Sequence, residues 1–498
     1  MCPKGRRRVA EREVSRGRIS RGAEAAVKGR TRGRAEPALN LGGAGRQMSM
    51  QMELPLGMAG ETRQEGRSGE ALTARGGDER SGHDHLMEKV VERGNIEKAM
   101  RRVRQNKGSP GADGMTVDEL PRHMAEGWEG IRARLLGGTY WPKPVLRRGI
   151  PKEGGGIREL GIPCVLDRLI QQGILQVLQP IFDPGFSEHS HGFRPGRGAH
   201  RAVREAQGYI QEGCRWVVDI DLEKFFDRVN HDVLMGRLAG RISDKRLLGL
   251  IRRYLEAGIM ADGVVMQRQE GTPQGGPLSP LLANILLDEV DKELERRGHR
   301  FVRYADDCNV YVRTRRAGER VKEALARQYA KLKLRVNEAK SAVDRPHRRT
   351  FLGFSFWYSR HGVQRKVSRK ALGMMKRRVR LITRRNGGRS LAAVAEELRR
   401  YLTGWGEYFK LADTPRIFRS LDEWIRHRMR AIQLKHWRRG TTVFRALRAR
   451  GWSVRDAATA ATATRHMWRG ARDELNCVLP SSDFDRLGVP RLSCLVSS

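Results

Sequence analysis

Residues 301–313, FVRYADDCNVYVR, constrain the possible fold more than any other stretch of the chain. Apolar and polar residues alternate in its second half and place Val310 and Val312 on one face, which is the period of a β-strand. The tip of the predicted tight hairpin carries the neighbouring residues Asp306 and Asp307. The sequence therefore predicts two strands joined by a turn that presents two adjacent carboxylates.

Adjacent carboxylates repel each other unless a positive charge lies between them, and Mg²⁺ is commonly held by one or two carboxylates together with substrate phosphates. A solvated Asp-Asp turn explains an isolated pair as well, so a metal site requires a third acid. Residues 215–228, RWVVDIDLEKFFDR, supply a candidate. Their alternation places Asp219 and Asp221 on one face of a strand that ends near Asp221, and we expect a helix to follow.

The pairing of DLEKFFD with YADD resembles the catalytic palm of a reverse transcriptase. The family pattern of Asp, four residues and an aromatic maps onto Asp221 and Phe226, and leaves Asp219 as an orienting or structural acid. The resemblance implies that Asp221, Asp306 and Asp307 are the catalytic and metal-binding residues. It also implies two Mg²⁺ ions, with Mn²⁺ as a substitute, and a nucleotide-binding role for Phe226.

Further motifs resemble those of group II intron reverse transcriptases and occur in family order. They are NKGSPGADG at 106–114, a Gly-rich basic ribbon at 140–163, FSEHSHGFRPGR at 186–197, GTPQGGPLSP at 271–280, LKLRVNEAKS at 332–341 and TFLGFSF at 350–356. The resemblance implies that Lys152, Arg158, Gln274 and Lys340 contact the incoming nucleotide. It implies template or primer contacts for Arg194, Gly275, Phe351, Leu352 and Gly353.

Alternatives remain open for several of these residues. The ribbon at 140–163 is also compatible with an ordinary basic surface hairpin, Arg194 with a role in holding the fingers, and Lys340 with contact to the palm carboxylates. His189 and His191 lie too close together, without a further ligand, to predict a metal site, so we expect a satisfied structural pair. The six cysteines form no Cys-x-x-Cys pair and predict neither disulfides nor structural zinc.

The charge of the chain points to a polyanionic partner. With 97 Lys and Arg against 57 Asp and Glu, the formal net charge is +40. Residues 345–395 contain fifteen Lys or Arg and no acid. From this basic stretch, together with the family's thumb, we expect RNA contacts from Arg365, Lys366, Lys376, Arg377 and Arg378. No run of 18 apolar residues and no apolar signal core is present, so we expect no membrane partner and a cytoplasmic protein, associated with the nucleoid when bound to DNA.

The predicted fold class is α+β, a right-hand polymerase with fingers and palm followed by an α-helical thumb and maturase domain. We expect a basic, disordered tail at 1–85, because that stretch is rich in Gly, Arg, Ser and Glu and lacks hydrophobic periodicity. Fingers and palm are expected at 86–358, the helical domain at 359–480 and a short C-terminal tail at 481–498.

The resemblance, which covers residues 86–480, implies a bacterial group II intron-encoded reverse transcriptase and maturase. Its partners would be the intron RNA, an RNA template with a DNA primer, target DNA and deoxynucleoside triphosphates, while homodimerisation stays open. One alternative is a splicing maturase whose polymerase palm is a relic. Another is a reverse transcriptase of a different bacterial lineage, such as a retron or a diversity-generating enzyme.

Many relatives append a DNA-binding segment and a metal-dependent endonuclease, whereas here the resemblance ends near Pro480, with eighteen residues left. We therefore expect no second-strand cleavage by this chain. Insertion would rely on reverse splicing of the intron RNA, with a pre-existing DNA 3′ end as primer.

Overall fold

The computed structural model describes residues 84–151, 157–261, 264–266, 270–272, 275–463 and 479–495. The predicted N-terminal tail lies outside the described residues up to position 83. The strands are β1 (Val145–Pro151), β2 (Ile157–Ile162), β3 (Trp216–Ile220), β4 (Ile259–Ala261), β5 (Val264–Met266), β6 (Arg300–Tyr304), β7 (Asp307–Val312), β8 (Ala342–Asp344), β9 (Phe354–Ser359) and β10 (Gly362–Val367).

Helices precede, connect and follow these strands, as the mixed α+β class predicts. They are α1 (Leu86–Val91), α2 (Arg93–Asn106), α3 (Leu120–Leu136), α4 (Val165–Phe182), α5 (Ala199–Gln211), α6 (His231–Ala239), α7 (Lys245–Glu256), α8 (Ser279–Arg296), α9 (Arg315–Lys331), α10 (Arg369–Ile382), α11 (Leu391–Phe409), α12 (Pro415–Trp437), α13 (Gly440–Arg448), α14 (Val454–Ala463), α15 (Ser481–Arg486) and α16 (Leu492–Leu495).

The palm is a four-stranded sheet in the order β6-β7-β3-β8. Its two predicted strands are confirmed, since β3 ends at Ile220, directly before Asp221, and β6 and β7 form the predicted hairpin. After Asp221 the chain forms a single 3₁₀ turn at Phe225–Asp227, and the α-helix α6 begins at His231.

The fingers contain a second four-stranded sheet, in the order β2-β1-β4-β5. Strands β1 and β2 form the basic ribbon as an antiparallel pair, and Val145 at the base of β1 pairs in parallel with Ile259 of β4. The ribbon is therefore anchored to the segment that leads into the 271–280 loop.

Two hydrophobic cores lie on the two faces of the palm sheet. Val218, Ile220 and Cys308 point into a core shared with α1 to α4 and α6 to α9. Val217 and Tyr311 point into a second core, shared with α5 and with α10 to α16. Because both faces are covered, β7 is buried along most of its length, as in sheets that pack between two layers.

The helical domain is bound to the palm through this second core, and aromatic residues of α11 and α12 such as Tyr408 and Phe418 are buried in it. The predicted boundary at 358/359 falls inside β9, so the β9-β10 hairpin belongs to both parts.

Residues 481–495 of the predicted short C-terminal tail pack on α12. Phe484 is buried, and Asp485 accepts a 2.6 Å hydrogen bond from Arg426. The Asp422 carboxylate accepts hydrogen bonds of 2.8 and 2.9 Å from the backbone N–H groups of Leu492 and Ser493. Across the described parts of the chain, every helix is too short or too polar to cross a bilayer.

Candidate active site

The β6-β7 hairpin turns through only two residues, Ala305 and Asp306, because Tyr304 already pairs with Asp307. Ala305 has a φ of 57°, a left-handed conformation that is usual for Gly and costly for a residue with a Cβ. The predicted tip is thus confirmed, and its backbone is held in a strained conformation.

The register of the palm sheet brings the third acid to this tip. Ile220 of β3 pairs with Cys308 of β7, so the next position of each strand places Asp221 opposite Asp307. Directly opposite residues of an antiparallel pair point to the same face. The carboxylates at 221 and 307 therefore meet at one end of the sheet, next to Asp306 in the turn.

The negative charges at this end of the sheet disturb one another. Loss of hydration, followed by repulsion from Asp306, Asp219 and Asp221, raises the pKa of Asp307 to about 7, and the Lys340 ammonium opposes the rise. Asp307 nevertheless remains accessible to solvent and therefore to a cation. Such a cluster favours either a bound proton or a bound cation.

Lys340 supplies one of the cations that face this cluster. Its Nζ lies 3.2 Å from Oδ2 of Asp221, and its side chain is largely exposed. The backbone around it is tied to Asp221, because the N–H of Asn337 donates to the Asp221 carbonyl at 2.8 Å and Ser341 Oγ accepts from the Asp221 N–H at 3.0 Å. Of the two roles considered for Lys340, the structure shows the contact with a palm carboxylate.

Sequence reasoning missed Arg349, which holds the neighbouring acid. Its Nε and one terminal nitrogen donate to Oδ2 of Asp219 at 2.8 and 2.5 Å, and that terminal nitrogen also donates to the Lys340 carbonyl at 2.7 Å. Asp219 thus has a cationic partner that is 130 residues away along the chain, and its role as an orienting or structural acid stays a prediction.

The donor set suits a divalent cation chemically. Carboxylate oxygens are ligands that Mg²⁺ prefers, and Oδ2 of Asp221 is a buried oxygen that, apart from its ion pair with Lys340, accepts no hydrogen bond from the described residues. The side chains do not complete the coordination of an ion by themselves. Within the described ranges, no group of three His, Cys, Asp or Glu residues surrounds one ion position. The residues fit a metal whose remaining ligands come from substrate and water.

Sequence reasoning also missed a fully buried ion pair beneath the turn that carries Asp306. Arg303 of β6 donates from Nε to Asp291 at 2.8 Å, and from Nη1 to the Ala305 carbonyl at 2.8 Å and to Asn284 Oδ1 at 2.9 Å. Arg303 and Asp291 are both completely buried. The strained turn is therefore fixed from below by a guanidinium whose charge is balanced by α8.

The 186–197 loop packs against the same turn. A Cβ at Gly192 would lie 2.2 Å from the backbone nitrogen of Ala305, so only Gly fits there. The Gly192 carbonyl accepts a 2.9 Å hydrogen bond from Asn284. His189 and His191 both hydrogen-bond to Glu205, which confirms the predicted structural pair.

The structure corrects the template or primer contact that we expected from Arg194. This side chain is buried and binds Asp183 at 2.9 Å, as well as the carbonyls of Ser187 and Ser190 at 2.5 and 3.0 Å. Its hydrogen bonds hold the loop together, so the alternative of a residue that holds the fingers is the right one.

Phe226 lies beside the glycine-rich 271–280 loop. Its ring packs edge-on against Phe225 at 5.0 Å, and its carbonyl accepts a 2.7 Å hydrogen bond from the N–H of Thr272. A Cβ at Gly275, whose φ is 131°, would lie 2.7 Å from the Gly161 carbonyl. The close approach at Gly275 is thus to strand β2, although we had expected it to be to template.

Several predicted contacts involve residues of the fingers that the structure does not describe. Lys152 and Gln274 lie outside the described residues, and of Arg158 only its place on β2, paired with Ile150, is given. At the predicted primer grip, Phe351 is buried, while Leu352 and Gly353 form a left-handed turn whose Leu352 carbonyl accepts a 3.0 Å hydrogen bond from Tyr408. Their contact with a primer stays a prediction.

The predicted RNA-binding residues divide into two groups. Arg365 donates from two nitrogens to Asp413 at 3.0 and 2.8 Å and is only 17% exposed, so the expectation that it contacts RNA is corrected. Lys366 is half-buried on β10. Lys376, Arg377 and Arg378 lie on α10, where Arg377 and Arg378 are exposed and the Lys376 Nζ lies 6.0 Å from the centroid of the Trp424 ring.

Two family comparisons match consecutive parts of the chain. Residues 150–356 match the family described as reverse transcriptase (RNA-dependent DNA polymerase). Residues 372–452 match the group II intron maturase-specific domain. The first match contains Asp221, Asp306 and Asp307, and the second begins inside α10.

Individual relatives share part of this sequence. Protein YkfC of Escherichia coli K12 is 39% identical over 209 residues, which is 41% of this chain and 55% of the relative. The group II intron-encoded protein LtrA of Lactococcus lactis subsp. cremoris is 34% identical over 252 residues, 49% of this chain and 42% of the relative. The chain thus spans about half the length of these relatives. A solved partial Cas6-RT-Cas1–Cas2 complex overlaps 50% of this chain and 42% of that chain at 27% identity, with a TM-score of 0.33.

Proposed function

We propose that the chain is a group II intron reverse transcriptase and maturase, which copies RNA into DNA and binds a group II intron RNA to assist its splicing and mobility. The matches of residues 150–356 to the reverse transcriptase family and of residues 372–452 to the group II intron maturase-specific domain support this proposal. The observation that carries the proposal is the placement of Asp221 opposite Asp307 at the strained turn, within the reverse transcriptase domain. The proposed partners are the intron RNA, an RNA template with a DNA primer, target DNA and deoxynucleoside triphosphates. Its proposed location is the cytoplasm, at the nucleoid when bound to DNA.

We infer that Asp221, Asp306 and Asp307 hold two Mg²⁺ ions, for which Mn²⁺ can substitute. When bound, these ions would supply activation of the primer 3′-hydroxyl and stabilisation of the departing pyrophosphate. The protein's own part is to hold three carboxylates at one end of a sheet that is packed on both faces. Lys340 balances the charge of Asp221, and Arg349 balances the charge of Asp219.

Two alternatives make different predictions. A maturase with a relic palm would bind intron RNA without adding nucleotides to a primer, and extension of a primer on poly(A) separates it from a polymerase. A retron or diversity-generating enzyme would not be encoded within a group II ribozyme. The maturase-specific match at 372–452 favours the intron lineage, and the DNA flanking the reading frame tests this directly.

Phe226 is proposed to discriminate between sugars, because its ring would occupy the space of a 2′-hydroxyl on the incoming nucleotide. We expect Phe226→Val to raise the incorporation of ribonucleotides relative to deoxynucleotides, measured as the ratio of kcat/KM values. Phe225→Leu is the matched control, since Phe225 is buried and packs against the same ring. Unchanged sugar selectivity in Phe226→Val would assign the discrimination to another residue.

The exposed cations of α10 are proposed to bind RNA phosphates. We expect Arg377→Gln combined with Arg378→Gln to weaken the salt dependence of RNA binding, measured as the slope of the logarithm of the binding constant against the logarithm of the salt concentration. The slope should become shallower by about 0.7 for each phosphate of single-stranded RNA that is no longer neutralised. Arg399→Gln with Arg400→Gln removes the same charge from residues that pair with Glu396 and should leave the slope near that of wild type. A wild-type slope in the Arg377 and Arg378 variant would show that these residues do not contact RNA phosphates.

A further inference from the structure

The palm sheet carries a second cationic site at the end opposite the catalytic carboxylates. A cavity of about 390 Å³ lies there, between the start of β6, the end of β7 and the first turns of α9. Its lining includes four arginines and no Asp or Glu, and the arginines are Arg297, Arg300, Arg313 and Arg320. Its volume falls within the range of ligand pockets, roughly 300–1,000 Å³.

Two of these four arginines have carboxylate partners among the described residues, and two do not. Arg300 lies 3.5 Å from Glu212, with both side chains more than half exposed, and Arg297 pairs with Glu293 at 2.5 Å. No ion pair within the described parts of the chain involves Arg313 or Arg320, and both are exposed. An exposed ion pair contributes little stability, so the Arg300 guanidinium can readily exchange its partner.

Neighbouring groups add to the positive potential. The Arg345 guanidinium lies 4.3 Å from the ring centroid of Trp216, which pairs with Val312 in the cavity wall, and the Arg315 guanidinium lies 6.0 Å from the same ring. Arg315 also pairs with Glu319 at 3.4 Å, so Arg345 is the residue that extends the basic surface beyond the cavity.

This surface is separate from the active site. Six residues of extended chain connect Asp307 to Arg313, which corresponds to about 20 Å. A nucleic acid bound in the cavity would therefore contact the protein about 20 Å away from the nucleotides at the catalytic carboxylates.

We propose that this distal cavity binds the phosphodiester backbone of a nucleic-acid strand, at a point remote from the site of synthesis. Guanidinium groups match phosphate oxygens in two-point hydrogen bonds. Four of them line this cavity, and Arg313 and Arg320 have no ion pair among the described residues, which favours an anion with several linked charges. The identification of this nucleic acid as RNA rests on the proposed function. The recognition of phosphodiesters does not depend on that function.

The test compares Arg313→Gln combined with Arg320→Gln against wild type, using a single-stranded RNA of about 100 nucleotides, a DNA of the same sequence and a short primer–template duplex. We expect the salt slope for the long RNA to fall by about 1.4 units, from two phosphates of about 0.7 each. Extension of the short duplex should stay at the wild-type rate, because its strands do not reach the cavity. Arg93→Gln with Arg122→Gln is the matched control, since these exposed arginines pair with Glu97 and Glu126.

The outcomes separate this inference from the proposed function. A lower slope for RNA alone, or for RNA and DNA alike, supports a phosphodiester site and identifies which strand it accepts. Wild-type slopes for both long strands overturn it, even if primer extension is intact. If wild-type protein fails to extend a primer but the slope still falls, the proposed polymerase function is wrong and the cavity remains a nucleic-acid site.

Discussion

Asp307→Asn and Asp306→Asn are each expected to abolish RNA-templated DNA synthesis while RNA affinity stays near that of wild type. Asn preserves the size of the side chain but removes the charge that a cation requires, and the basic surfaces of α10 lie in another domain. The loss should exceed the factor of about 10 to 100 that follows removal of an outer partner of a metal ligand. Primer extension together with filter binding of the same RNA measures both effects.

The control for this experiment is Asp232→Asn. Asp232 is an exposed carboxylate that pairs with Arg252 at 2.6 Å and lies outside the carboxylate cluster. It should retain full synthesis. Retained extension in either Asp306→Asn or Asp307→Asn would remove that residue from the catalytic assignment.

Arg303→Met is expected to have the second largest effect, on both folding and synthesis. It leaves Asp291 buried without its counter-charge, and breaking a buried ion pair in this way typically costs about 3 to 5 kcal/mol of stability. It also removes the donor that holds the Ala305 carbonyl at 2.8 Å. Chemical denaturation measures the first effect and primer extension the second.

A double variant distinguishes a positioning role from a purely structural one. Arg303→Met combined with Asp291→Leu removes both charges, and replacing a buried ion pair with apolar residues is often neutral for stability. We expect stability to recover while synthesis stays low, because the strained turn still lacks its hydrogen bond from below. Recovery of synthesis together with stability would show that Arg303 only balances Asp291.

The local parts of the site were predictable because short-range patterns encode them. The alternation along 301–313 indicated the hairpin and its tip, and the alternation before Asp221 indicated β3 and the shared face of its acids. Only the resemblance to a known palm, carried by the order of the motifs, predicted that these strands lie side by side. Periodicity by itself predicts strands and leaves their pairing open.

The parts that sequence reasoning missed depend on distant partners. In the sequence, Arg303 and Arg349 look like ordinary surface cations. Only the three-dimensional structure shows that Arg303 binds Asp291 and that Arg349 binds Asp219. We expected Arg194 and Arg365 to contact nucleic acid because the sequence does not show that they bind Asp183 and Asp413. Charge in a sequence predicts a cation, but its environment decides whether that cation binds a ligand or the protein itself.

The most direct test of the central claim is extension of an oligo(dT) primer on a poly(A) template by the purified wild-type chain. The account predicts incorporation of dTMP that requires Mg²⁺ or Mn²⁺ and stops when the divalent ions are chelated. Tight RNA binding without dTMP incorporation, across a titration of both metals, would contradict it and would favour a maturase whose palm no longer catalyses synthesis.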